Sequence, residues 1–132
     1  MNDSDTKQLL QNTRTIAVVG MSDKPHRASH HVAAYMKAQG YRIIPVNPTL
    51  TSVLGERCYP TLRDIPEPVD MVDVFRKSDA VPSIVDDAIA IGAKSVWMQE
   101  GVIHQDAADQ ASDAGLLVVM DRCILKEHER LM

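Results

Sequence analysis

A doubly wound α/β domain is the fold class this sequence predicts, and three observations carry it. Five short apolar runs, rich in Val and Ile, alternate with amphipathic or turn-rich stretches, the pattern that argues for βα units. Runs of that composition suit strands of a parallel sheet covered on both faces. Glycine follows three of the amphipathic stretches, at Gly40, Gly92 and Gly115, where a helix commonly ends in a left-handed residue. Right-handed crossovers over such a sheet, with a reversal of direction partway, give helices on both faces and strand order 3-2-1-4-5.

Taken in order, the elements begin with a helix over Thr6–Thr13 and a first strand, Thr15–Val19, ending at Gly20. A helix over Ser29–Gln39 follows, with Ser29 the expected N-cap, and leads into a second strand, Tyr41–Val46. The next connection holds Pro48, Gly55, Pro60, Pro66 and Pro68, which exclude a long helix. It is expected to be a loop with helical turns at Leu50–Leu54 and Leu62–Ile65. The third strand, Asp70–Phe75, precedes a helix over Val81–Ile91. The fourth, Ser95–Met98, precedes one over Asp106–Ala114, and the fifth, Leu116–Met120, leads to a last helix over Leu125–Leu131.

At 132 residues the chain suits one domain, 1–132, with one core of ordinary size. A net charge of −4 argues against a general nucleic-acid surface while leaving room for a local cationic pocket. No apolar run approaches the ~18 residues of a membrane span, and the polar start "MNDSDTKQLLQN" has no signal-peptide core, so a cytoplasmic protein is expected. Cys58 and Cys123 lie far apart without metal or CxxC spacing, and reduced thiols are the default. His26 and His30 are four apart, but no carboxylate stands at ligand spacing beside them, so no metal site is expected.

In a doubly wound sheet, ligands bind outside the carboxyl ends of the strands at the switch point. That places the candidates in Gly20–Ser29, Val46–Pro48, Phe75–Ser78, Gln99–Gly101 and Asp121–Cys123. A dinucleotide turn needs three spaced glycines and an acidic residue closing strand two. Here Ser22 and Pro25 occupy the later glycine positions, and strand two ends in "PVNP". A Walker loop is missing too. The first turn instead offers another kind of anion site. Gly20 permits close backbone approach, Met21 and Ser22 follow it, Lys24 and Arg27 bring positive charge, and a helix opens at Ser29 with free N–H groups. Arg27 matches two phosphate oxygens with its planar fork, whereas Lys24 supplies a point charge. Asp70 and Asp73 read as hydrogen-bonded structural carboxylates, and Met71, Met98 and Met120 as core.

The segments "VVGMSDKPHRASHHV", "PVNP", "GERCYPTLRDIP", "VDVFR", "VWMQEGV" and "VVMDRC", in this order, resemble the small single-domain CoA-binding proteins. Their fold is similar to the N-terminal CoA-binding domain of the succinyl-CoA synthetase α subunit. The resemblance spans about Thr13 to Cys123 and implies a Rossmann-like domain. In it, Gly20, Ser22 and Arg27 hold the pyrophosphate of coenzyme A or an acyl-CoA. Val46, Asn47 and Pro48 border the adenine and 3′-phosphate, and Phe75, Arg76, Gln99 and Gly101 line the rest of the cleft. Asn47 in place of an acidic residue avoids repelling the 3′-phosphate. The synthetase's phosphorylated histidine lies in a second domain outside the resemblance, so a binding module without catalytic residues of its own is expected. A nucleotide-dependent enzyme, either an NAD(P)-linked oxidoreductase or one component of a split acyl-CoA ligase, is the alternative. Cys123 after the fifth strand is a candidate thiol neighbour of the pantetheine end. Pairing with a second copy or with another protein stays open.

Overall fold

The computed structural model describes all 132 residues. Helix α1 (Asp3–Asn12) leads into β1 (Thr15–Val19), α2 (Ala28–Ala38) and β2 (Arg42–Val46). A two-stranded hairpin, β3 (Ser52–Val53) and β4 (Glu56–Arg57), and a 3₁₀ turn at Leu62–Asp64 fill the proline-rich connection. Then come β5 (Met71–Val74), α3 (Val81–Ala90), β6 (Ser95–Met98), α4 (Gln105–Asp113), β7 (Leu117–Val119) and α5 (Ile124–Leu131). The five long strands pair in parallel throughout. No helix is long and apolar enough to cross a membrane.

Alternation along each strand divides the interior into two layers. Ala17, Val19, Val72 and Val74 face α3 and α4, while Ile16, Val18, Met71 and Trp97 face α1, α2 and α5. Both layers are buried, which is why the strands read as continuous apolar runs. The doubly wound α/β class with helices on both faces is the observed architecture.

The strand order departs from expectation. The sheet runs β2-β1-β5-β6-β7, so the third long strand lies against β1 and β2 forms the edge. In the order 3-2-1-4-5, the second strand would be internal and would need backbone partners on both sides. Pro45 has no N–H to give and belongs on an edge strand. Its carbonyl points outward and accepts from Tyr59 N at 3.0 Å. The chain after β2 therefore caps that edge, packs Leu62 into the α3 layer, and returns to β1.

Leu50–Leu54 is the second correction. Its end forms strand β3, and Leu54 and Gly55 turn with φ of 55° and 74° into β4. Two consecutive left-handed residues make a tight hairpin turn. Leucine seldom takes that conformation, which hid the hairpin from the sequence; here Lys37 Nζ donates to the Leu54 carbonyl at 2.5 Å.

Candidate functional site

Two clefts flank the bend that follows β1, at the carboxyl ends of the strands. Gly20, at φ +85°, is fixed there by its surroundings. A Cβ on it would stand 2.4 Å from the Phe75 carbonyl oxygen, inside any permissible contact. Gly20 N donates to Val46 O at 3.2 Å and Phe75 N donates to Val19 O at 2.9 Å, so the bend is locked between the ends of β2 and β5.

On the α2 side, a cleft of about 420 Å³ lies between the Gly20–Ala28 turn and Asn47–Leu50. Helix α2 starts one residue earlier than expected. Arg27 is its N-cap residue and makes no side-chain cap hydrogen bond. Ser29, the expected cap, instead lies buried in the first turn, where its Oγ accepts from Ser22 N at 3.0 Å. The Ser22 hydroxyl accepts from Lys24 N at 3.1 Å. These bonds hold the turn against the helix, whose first residues, Arg27, Ala28 and Ser29, line the cleft; the start of a helix is an anion-binding element. Lys24 and Arg27 are exposed, and neither has an ion-pair partner. Asp23 is the one carboxylate bordering this cleft, and it too is exposed.

Two residues serve the site through structure. The Met21 side chain is fully buried in the core beneath the turn, and its carbonyl accepts from Asn47 Nδ2 at 2.8 Å. Asn47 Oδ1 accepts in turn from both Thr49 N and Thr49 Oγ1 at 2.8 Å. Asn47 thus ties the β1 and β2 loops together rather than standing free for a ligand. Cys58 is buried beneath this loop, with Sγ 3.6 Å from the Asn47 carbonyl, and burial pushes its thiol up toward the neutral form.

On the α3 side, a second cleft of about 590 Å³ shares Gly20, Asn47 and Thr49 with the first and adds Val46, Pro48 and Arg76. Phe75 borders the first cleft. Gln99 and Gly101 border neither. Strand β6 is one place farther from β1 than the expected order allowed, so its loop opens elsewhere. Gln99 is buried, and its Nε2 donates to Asp73 Oδ1 at 2.6 Å while its Oε1 accepts from Ile124 N at 3.4 Å. The Gly101 N–H donates to Asp121 Oδ1 at 2.7 Å. Cys123, half-buried, precedes α5 and borders neither cleft. No group of three His, Cys, Asp or Glu side chains converges to hold a metal ion.

Asp73 is the group the cleft reading did not use. It faces Val18 and Trp97 across the sheet, fully enclosed, and burial pushes its carboxyl up to about 7 against the pull of the Gln99 hydrogen bond. Asp70, at the other end of the same strand, accepts from Arg14 N and Thr15 N at 3.0 and 2.9 Å.

Comparison with known proteins adds a second line of information. Residues 14–129 match a family model described as a CoA binding domain. An uncharacterised protein of Bacillus subtilis is 39% identical over 125 residues, which cover 95% of this chain and 93% of that protein. The structure of a hypothetical protein from Pyrococcus horikoshii superimposes with a TM-score of 0.96 at 41% identity, covering 99% of this chain and 92% of that one. The ADP-forming acetate–CoA ligase II of Archaeoglobus fulgidus is 30% identical over 83 residues, 61% of this chain and 12% of the ligase.

Proposed function

We propose that this chain, which belongs to the CoA-binding domain family, holds coenzyme A or an acyl-CoA in the clefts beside Gly20 as a single binding unit. The pyrophosphate would lie at the N-terminus of α2, with Lys24 and Arg27 closing over it. The observation that carries this reading is the uncapped start of α2 beneath two exposed, unpaired cations. Helix N–H groups and the helix dipole favour an anion there, and a guanidinium adds paired donors to phosphate oxygens. Val46, Asn47 and Pro48 would border the adenosine end, where β2 closes without a carboxylate of its own to repel a 3′-phosphate and Asp87 of the same cleft is paired with Arg63. No base is paired with a nucleophile at the clefts in a way that suggests chemistry on the ligand, so a carrier or sensor fits better than an enzyme.

Calorimetric titration with CoA, dephospho-CoA and NAD tests the reading. CoA is expected to bind tightest, with dephospho-CoA weaker because it lacks the 3′-phosphate. Tighter binding of NAD than of CoA would replace this reading with a dinucleotide one.

A further inference from the structure

We propose that Arg76 reads the 3′-phosphate, holding it where the cleft on the α3 side meets the bend, and so selects CoA over the same nucleotide without that phosphate. This rests on the CoA reading above, which gives the start of α2 to the pyrophosphate and the Val46–Pro48 side to the adenosine. The two clefts join through Gly20, Asn47 and Thr49, so a ligand anchored by its pyrophosphate at α2 can pass its adenosine across the bend. Val46, Leu62 and Ile84 wall the second cleft, with Pro48 and Pro60 at its rim. Such a surface suits a purine, whose faces gain from leaving water. The ribose joins that base to the pyrophosphate, which puts its 3′-oxygen beside the bend.

Arg76 stands at that place. Its methylenes lie across Gly20, where a Cβ would meet Cδ at 2.9 Å. The side chain is exposed and has neither an ion pair nor a side-chain hydrogen bond. The other polar side chains of this cleft are committed within the protein. Asp87, its one carboxylate, accepts from Arg63 Nε at 2.7 Å and is neutralised from outside. Asn47 donates to the Met21 carbonyl, Thr49 Oγ1 donates to Asn47 Oδ1, and Thr61 Oγ1 donates to Asp64 Oδ2, each at 2.8 Å. The pyrophosphate has partners of its own across the bend, in Lys24, Arg27 and the start of α2. Arg76 is therefore the one free cation in the cleft that receives the adenosine. A phosphate monoester presents three strong acceptor oxygens and close to two negative charges, and a planar guanidinium can take two of those oxygens in paired hydrogen bonds.

CoA and dephospho-CoA differ in the 3′-phosphate alone. Titrated calorimetrically into the full chain, CoA is expected to bind about tenfold tighter, as one charge-assisted contact would give. In Arg76→Gln that preference is expected to vanish through weaker binding of CoA, with dephospho-CoA affinity unchanged. In Arg27→Ala both affinities are expected to fall by the same factor and the preference to stay, because that side chain faces the pyrophosphate. A preference that survives in Arg76→Gln, or is lost in Arg27→Ala instead, overturns the proposal. Equal affinities in the unsubstituted chain overturn it whether or not either variant folds. A chain that binds neither nucleotide overturns the CoA reading itself, an outcome separated from the others by the titration of the unsubstituted chain.

Discussion

At the amino ends of the strands lies the roomier cavity, about 760 Å³, between α1, the start of β6 and the edge strand β7; the clefts at the carboxyl ends are smaller. The larger one offers a ligand little to bind. Of its two carboxylates, Asp5 would repel an anion, and Asp70 already accepts two backbone N–H groups and stands 3.7 Å from Lys94 Nζ. The start of α1 is capped by Asn2, whose side chain accepts from Asp5 N at 2.8 Å. At the carboxyl ends, the start of α2 has no side-chain cap, and Lys24, Arg27 and Arg76 lack partners. Volume alone does not mark a site. Polar groups held in place with unused bonding capacity do, because a ligand that completes them displaces only water.

Two glycines, Gly20 and Gly115, separate the two ends of the sheet most clearly. Gly20→Ala puts a methyl group 2.4 Å from a backbone oxygen at φ +85°, so both strain and clash oppose it. A loss of about 4 kcal/mol in denaturant stability is expected, together with loss of CoA binding. Gly115→Ala, at φ +93° near the amino end, meets nothing within 4 Å and should cost only about 1–2 kcal/mol of backbone strain, with CoA affinity unchanged. Equal losses in the two variants would mean that the bend is not held as tightly as its contacts require.

Asp73 sharpens the contrast from within the core. Its folded carboxyl titrates at about 7, above the ordinary value of 3.8, so the unfolded chain releases this proton first as pH rises. Stability from this residue is therefore complete below pH 3.8 and is lost as pH rises through 7, by at most about 4 kcal/mol. Asp73→Asn keeps an acceptor for Gln99 and removes the titration. Thermal melts should show the variant gaining on the parent protein at pH 8 and losing that advantage at pH 4. A gain that does not change with pH would place the ionisation elsewhere.

How much of this was legible in the sequence follows from what each signal reports. Periodicity and composition report burial, so they located all five long strands, the helices between them, and the bend with Ser22, Lys24 and Arg27. They do not report which strand neighbours which. The residue that does is Pro45, whose missing N–H marks β2 as an edge; reading it would also have moved Gln99 and Gly101 away from the cleft. The Asn47 bridge was beyond reach for a different reason. An amide after a strand reads equally as a ligand donor or as a link between loops, and only its distances to Met21 and Thr49 decide.

Charge substitutions compare the two ends directly. Arg27→Ala removes a cation from the start of α2 and is expected to weaken CoA binding by about 1.5–3 kcal/mol, with stability nearly unchanged because the side chain is exposed and unpaired. Lys94→Ala removes one from the larger cavity and should leave CoA affinity as it was. If Lys94→Ala weakened CoA binding as much as Arg27→Ala, the assignment of ligand to the carboxyl ends would fall.

The smallest expected effect belongs to His128, on α5 near the amino ends. Its Nδ1 lies 2.9 Å from the Tyr35 hydroxyl, its ring meets Tyr35 and Tyr41 edge-on, and burial holds its pKa below the usual 6.5. Between 6.5 and the lower folded value, the unfolded chain binds the proton more readily, so this residue's stability is present above pH 6.5 and is lost as pH falls through the folded value. The direction is opposite to that of Asp73. His128→Gln, which has no charge to gain, should flatten the acid side of the melting profile and leave the Asp73 response near pH 7 intact. Loss of both responses in that one variant would show that the two groups titrate as a coupled pair within the layer between the sheet and α5 and not as separate features of core and amino end.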